Sequence, residues 1–500
     1  MHENHPKPRG VSPLPVWSRA LLIWLAFTVR VLSLLAQGVW RDEVDQWRFA
    51  RVPWSEMMAN FTRPGWNGPL YSPLLRGWIV VAGDSVYAMR FLSVVWGVLL
   101  VAFITVLGRR LFGDRVAGVA GLLGAFSPYM VWYAQEIKMY TWVPMLVVLA
   151  LYALDQACSR PHIGWWIVVL VATSLAFYSH VLAALLVGVL GVWFFLHPRR
   201  DRRAWVGGGL VLVGLTVPYV PLLRWQTALA MVSRETGFPN YSLGQMIAAL
   251  ANGWSAGVSQ GAWGGTVPVL VMIGLFSGLA VLGLVILTAT RRGRVAGQVL
   301  AWLAMPLVVV WFVSLRGPIF TDRYLIWSAP AFYLFVAVGV VWLAQHLGSA
   351  GTLLLVPLLV IDGHGLYAQA VSPIKPEFAP LVEIVEERRQ PRDILLFQIP
   401  YNRHVYGFYV QGEMGAWAEA PYTNWREPDG SYRVDADEIG RQVRRLVAGY
   451  DRVWLIYSEA TMWDDRELVR WWLEENYNLA EVWRYTGVEL YLFTRPPRSG

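Results

Sequence analysis

The sequence predicts a polytopic α-helical membrane protein of about eleven transmembrane helices, followed by a C-terminal extracytoplasmic α/β domain. Three observations predict it. Hydrophobic residues make up 56% of the 500 and charged residues only 15%, against about 45–50% and about 25% in a soluble globular chain. Apolar runs of spanning length recur, separated by short basic connections. After Ser372 the character changes, and short β-rich runs alternate with helical patterns. The 28 Trp and 22 Tyr suit the aromatic belts at membrane interfaces. Cys158 is the sole cysteine, so no intramolecular disulfide framework exists. The net charge of +8 does not mark a nucleic-acid partner, because the arginines concentrate in the loops between apolar runs, as the positive-inside bias requires.

The first span, Trp17 to Gln37, follows a polar start and shows no small-residue cleavage site. It reads as an uncleaved transmembrane helix rather than a signal peptide. Further spans are expected near residues 86–108, 115–134, 140–157, 163–179, 181–197, 205–224, 266–290, 296–315, 324–346 and 351–370. The transmembrane domain then covers 1–371 and the α/β domain 372–500.

Orientation follows from the connections. With Lys7, Arg9 and Arg19 inside, the loops GRRLFGDR (108–115), SRPH (159–162), HPRRDRR (197–203) and RRGR (291–294) all fall on the cytoplasmic side, consistent with one topology. An odd number of spans puts GVWRDEVDQW (38–47), the YAQEIKMY stretch, Ser179-His180, the segment RGPIFTDRY and everything after about residue 371 on the outer face. The expected location is the inner, cytoplasmic membrane.

Two outer loops are long. In the first, 38–85, DEVDQWRFA should form a helix, and the apolar run Tyr71 to Val81, interrupted by Pro73 and Arg76, is too short to span and should lie at the interface. The second, 224–265, has the length of a lid or binding loop. In the C-terminal region, DILLFQ (393–398) and RVWLIY (452–457) read as strands, residues 435–449 and 464–476 as helices, and LAEVWRY with VELYLF as a closing hairpin. No Gly-rich phosphate loop occurs there.

Three carboxylates, Asp42, Glu43 and Asp45, crowd the mouth of the first span. Taken alone they read as solvated residues at a helix end. Their surroundings say more. The DE pair is followed by NGPLYSPLLRGW, the run SVYAMRFLSVVWG, the loop GRRLFGDR and the stretch SPYMVWYAQEIKMY (127–140). This order resembles the bacterial membrane glycosyltransferases related to protein O-mannosyltransferases and aminoarabinose transferases, the GT-C architecture. The resemblance is strong over about the first 200 residues and continues through FTDRYLIWSAP (320–330).

The resemblance implies transfer of a monosaccharide from a polyprenyl-phosphate donor to a hydroxyl-bearing acceptor, whether protein, lipid or glycan. Such chemistry needs a base for the acceptor proton and cationic groups for the departing phosphate. The family's DE pair maps onto Asp42 and Glu43: either is the base, or one of them holds the acceptor or a metal, and the preferred assignment is Asp42 as base with Glu43 in support. Asp45 is expected to be structural. Lys138 and Arg323 become candidates for the donor phosphate, ahead of Arg41, Arg63 and Arg234. Glu136, His180, Tyr133 and Tyr71 become candidates for substrate or acceptor binding. The family often carries Arg where this chain has Lys138, which keeps the charge but not bidentate geometry. Snorkelling, interfacial anchoring and a turn histidine without a role are the plain alternatives for Lys138, Arg323 and His180. Arg30, inside the first span, requires a partner or a cavity. A divalent metal held by Asp42, Glu43 and His180 stays open, since no HExxH or CxxC spacing marks it. The rival readings are a secondary transporter, which should show repeated halves, and a non-catalytic lipid-linked-sugar binding or assembly protein.

Overall fold

The computed structural model describes residues 16–61, 68–160, 162–232, 239–258, 266–410, 412–427, 429–459 and 462–496. Its helices in chain order are α1 (Val16–Leu32), α2 (Arg41–Arg51), α3 (Trp54–Ala59), α4 (Tyr71–Ala82), α5 (Val86–Phe112), α6 (Asp114–Phe126), α7 (Pro128–Ala134), α8 (Trp142–Ser159), α9 (Ile163–Ser179), α10 (Leu186–Leu196) and α11 (Arg202–Val232). They continue with α12 (Leu243–Ala256), α13 (Thr266–Ala289), α14 (Gly293–Ser314), α15 (Ala329–Leu347), α16 (Ser349–Leu353) and α17 (Leu355–Val371). Short 3-10 turns, Val181–Leu185 and Asp322–Ser328, lead into α10 and α15. The described residues fall into two compact units, Met1–Leu34 with Ala50–Gln369, and Leu35–Phe49 with Ala370–Gly500.

The first unit is a multi-pass helical membrane body. Among the described residues six helices are long and apolar enough to cross a bilayer, or seven if α6 and α7 form one broken span. Each of the eleven apolar runs is helical over most of its length, but α9 and the Val181–Leu196 pair are shorter than a full crossing. The run expected as one span over 115–134 bends by 57° between α6 and α7. Ser127 and Pro128 cause the break. Proline cannot donate to the helix behind it and suits the first position of the next one, while Ser127 Oγ accepts from Met130 N at 3.2 Å.

That break leaves carbonyls at the end of α6 without helical partners, and Arg30 takes them. Its Nη1 donates to Ala125 O at 3.0 Å and to Ala26 O at 2.9 Å, and its Nη2 to Gly124 O at 3.0 Å. The arginine inside the first span therefore ties α1 to the α6–α7 joint. Helices α13 and α15 approach closely because Gly283 and Gly339 face each other's backbone: a methyl on Gly283 would strike Phe335 O, and one on Gly339 would strike Leu279 O. The segment 224–265, expected as a loop, contains α12, whose start is fixed by a capping box between Ser242 and Gln245.

The second unit holds α18 (Phe378–Arg388), β1 (Asp393–Phe397), α19 (Asn402–Tyr409), β2 (Trp417–Glu419), α20 (Ala436–Leu446), β3 (Arg452–Tyr457), α21 (Leu468–Asn476), β4 (Asn478–Tyr485) and β5 (Val488–Thr494). The five strands lie in the order β2-β1-β3-β5-β4. β1 runs parallel to β2 and β3, and β5 pairs antiparallel with β3 and with β4, its hairpin partner. The runs ILLF and VWLI are buried throughout, as central parallel strands require. On one face Ile394, Leu396, Val453 and Leu455 pack with Ile439 and Val443 of α20 and Val469 and Leu473 of α21. Residues 35–49, with most of α2, belong to this unit.

Candidate active site

The DE pair sits in the first turn of α2, where acidic side chains favour the helix dipole. The rest of the second unit grips this helix at several points. Gln37 Oε1 accepts from the amides of Ile374 (2.9 Å) and Lys375 (3.2 Å), and its Nε2 donates to Ser372 O at 2.8 Å. Val39 N donates to the Tyr409 hydroxyl at 2.7 Å. The Trp47 ring meets Phe408 edge-on at 5.1 Å, and the Arg41 guanidinium lies over the Tyr401 ring at 4.4 Å. Burial opposes the charge of Arg41, but Tyr401, Asp42 and Glu459 outweigh it and raise its pKa.

The two carboxylates differ in kind. Glu43 is fully buried and accepts from Lys375 Nζ at 2.9 Å. Asp42 keeps 15% of its side chain exposed, and Arg41 Nε lies 3.6 Å away. One carboxylate of the pair is thus committed to an internal ammonium, and the other stays within reach of solvent. Lys375, 332 residues along the chain, carries no motif by which sequence reasoning could have found it. Asp45 holds Arg48 at 3.4 Å one turn away in α2, a structural role.

The other candidates lie in the first unit. The connection between α7 and α8 carries Glu136 and Lys138, and Ser93 Oγ on α5 holds it by donating to Glu136 O at 2.6 Å. Ser93 Oγ also meets the buried Tyr71 hydroxyl at 3.2 Å, so Tyr71 braces α4 against this connection. At the start of that element Leu70 N donates to Tyr178 O at 3.0 Å, which brings the first loop to the end of α9. His180 follows there. It is 2% exposed, its Nδ1 accepts from Leu182 N at 3.3 Å, and its ring lies 4.8 Å from that of Tyr324. Both Arg323 and Lys138 act on it electrostatically. Tyr133, 5% exposed, stands edge-on to Tyr129 and Tyr140 at 4.9 and 5.2 Å and within the fields of Glu136, Asp322 and Arg323.

Tyr133, Glu136, Lys138, His180 and Arg323 therefore converge in the first unit, with Tyr71 behind them, while Asp42 and Glu43 belong to the second. Arg63 and Arg234 lie outside the described residues. Among the described residues no three His, Cys, Asp or Glu side chains gather as metal ligands, and the Glu43 carboxylate is already met by an ammonium.

Comparison with known proteins bears on this arrangement. Residues 64–225 match the family model described as dolichyl-phosphate-mannose-protein mannosyltransferase. Along 95% of its length the chain superposes on 97% of ArnT from Cupriavidus metallidurans bound to undecaprenyl phosphate, with a TM-score of 0.58 at 15% identity. The chain has the GT-C fold. Over its matched residues the chain is similar to the superfamily that joins the protein O-mannosyltransferases to the aminoarabinose transferases. A second GT-C structure, the Archaeoglobus fulgidus oligosaccharyltransferase in its apo form, matches 97% of this chain and 74% of its own with a TM-score of 0.54 at 12% identity. In sequence, the undecaprenyl phosphate-alpha-4-amino-4-deoxy-L-arabinose arabinosyl transferase of Pseudomonas aeruginosa (strain UCBPP-PA14) is 27% identical over 246 residues, 46% of this chain and 42% of its own. That of Pseudomonas paraeruginosa (strain DSM 24068 / PA7) is 29% identical over 241 residues, 44% and 41%. The matched part thus spans about two fifths of these GT-C relatives. The family match takes in Tyr71, Tyr133, Glu136, Lys138 and His180, whereas Asp42, Glu43 and Arg323 lie outside it.

Proposed function

We propose that this GT-C protein transfers a hexose or pentose from a polyprenyl-phosphate donor to a hydroxyl group of a protein, lipid or glycan. The reaction takes place at the outer face of the cytoplasmic membrane, with the amino terminus in the cytoplasm and the C-terminal unit outside. The basic connections support this orientation, and the donor's tail requires a site at the lipid boundary.

The carrying observation is the asymmetry of the DE pair: Glu43 is buried against Lys375, and Asp42 remains partly open. Asp42 takes the acceptor's hydroxyl proton as the new C1–O bond forms. The bond from C1 to the phosphate oxygen breaks, and the polyprenyl phosphate leaves with the electron pair. Lys138 and Arg323 stabilise its charge, and Glu136, His180 and Tyr133 contact substrate. Glu43 supports Asp42 by fixing its helix. The C-terminal unit contributes to acceptor choice.

The test is transfer of radiolabelled sugar in membranes given a panel of polyprenyl-phosphate monosaccharides, with wild type and Asp42→Asn at equal expression. One donor should be consumed, and the variant should lose about 10²- to 10⁴-fold in rate while still binding donor. Full transfer by Asp42→Asn would remove Asp42 as the base.

A further inference from the structure

A cavity of about 400 Å³ opens in the first unit between Tyr133 of α7, helix α12 and the Phe320–Asp322 stretch ahead of α15. Ligand pockets run from about 300 to 1,000 Å³. Its walls combine two kinds of surface. Tyr133, Tyr241 and Phe320 supply aromatic faces, the last two packed edge-to-face at 5.4 Å. Asn252, Thr321 and Asp322 supply polar atoms.

The polar set is made of oxygens seeking donors. Asn252 Oδ1 is buried without a hydrogen-bond partner among the described residues, a costly state unless a ligand or water fills it. Thr321 Oγ1 donates to Asp322 Oδ1 at 3.3 Å, which leaves the carboxylate with further accepting capacity. The Tyr129 hydroxyl also faces this carboxylate, and its two oxygens together can accept more bonds than these two hydroxyls supply. No Lys or Arg lines the cavity among the described residues. The Asp322 carboxylate repels an anion such as phosphate, and a neutral or cationic group rich in hydrogen-bond donors suits these acceptors.

We infer that this cavity seats a saccharide ring, whose hydroxyl or ammonium donors meet Asp322 and Asn252 while its C–H face lies against Tyr133, Tyr241 or Phe320. The inference deepens the proposed transfer reaction and rests on it for the identity of the sugar. The ring is that of the donor monosaccharide or of a saccharide acceptor. Asp322 and Asn252 then decide which sugars are accepted, because a site built around buried acceptors rejects a ring lacking the matching donors.

Kinetics of the full-length protein in membranes test this, with KM and kcat taken separately for donor and acceptor. The donors are neutral and amino-substituted polyprenyl-phosphate monosaccharides. Asp322→Asn should raise KM for one substrate by about tenfold to a hundredfold. A rise confined to the donor places the donor sugar in the cavity, and a rise confined to the acceptor places the acceptor's saccharide there. Tyr241→Ala, at a residue 36% exposed, should raise the same KM even if Asp322→Asn folds poorly. Unchanged KM for both substrates in a folded Tyr241→Ala protein would overturn the inference. A readout independent of turnover separates it from the transfer reaction. In Thr321→Cys, whose native Cys158 is buried, the same panel should slow maleimide labelling. Protection without turnover keeps the cavity and removes the transferase reading; turnover without protection does the reverse.

Discussion

The ammonium of Lys375 stands 2.9 Å from the carboxylate of Glu43, with 4% and 0% of the two side chains exposed. A segment just after the last apolar helix thereby holds the helix that carries Asp42. Removing one partner of a buried ion pair costs about 3–5 kcal/mol, whereas replacing both by apolar residues of similar size is close to neutral. Lys375→Met should therefore lower thermal stability in detergent and cut transfer, and adding Glu43→Leu should restore most of the stability. Additive losses in the double variant, read from a double-mutant cycle, would show that the pair is not coupled.

Gly68 explains one fragment of the NGPLY motif. Its φ is +85° and a methyl there would collide with the carbonyl of Ser179, the residue before His180. Gly68→Ala therefore requires both an unfavourable backbone conformation and a displacement of the α9 end. Transfer should fall at least tenfold with the protein still membrane-inserted, as followed by labelled-sugar transfer and detergent-stable yield. Wild-type activity in this variant would mean that His180 can shift without consequence.

Arg30 caps the joint between α6 and α7 through Gly124 O and Ala125 O. Arg30→Leu leaves these buried acceptors unpaired at about 1–3 kcal/mol each. Arg30→Met, which keeps the stem but no donors, should be destabilised alike. Thermal unfolding in detergent should show both below wild type, and a loss limited to Leu would assign the effect to packing instead.

Much of this architecture was legible in the sequence because it depends on local pattern. Apolar length located the helices, basic connections separated them, and the runs ILLF and VWLI announced buried strands, whereas the break at Ser127-Pro128 went unread inside one apolar run. The helix α12 was signalled too, by Ser242 three residues before Gln245, but the surrounding length suggested a loop. What could not be read were pairings made by the fold alone. Lys375 looks like any loop lysine until α2 is placed beside it, and Asp322 looks like the start of an anchoring DRY stretch until Tyr133 and α12 close a cavity around it. Arg30 was visible as an anomaly, but its partners are backbone carbonyls 94 and 95 residues away, which no side-chain motif records.

The second unit should lose stability toward acid in two steps. Burial, and then the positive charges of Arg48 and Arg403, lower the pKa of His404 to about 4, below the ordinary value near 6.5. Between those values the unfolded chain binds a proton that the folded one refuses, so stability falls as pH drops from about 6.5 toward 4. Asp393 governs the lower step. Burial alone would raise its pKa, but the hydrogen bonds from Arg452, Trp454 and the Gln390 amide outweigh it and hold the carboxyl below its usual range. Arg452 Nε reaches it at 2.8 Å, Trp454 Nε1 at 2.8 Å and Gln390 N at 2.9 Å. Its contribution is present above about pH 4 and disappears as pH falls through the depressed folded value. Tryptophan-fluorescence melts of the full chain across pH 7 to 3 should show both steps. His404→Gln should flatten the upper step alone, and Asp393→Asn the lower alone, at the cost of a lower melting temperature at neutral pH. An upper step that persists unchanged in His404→Gln would assign it to another group.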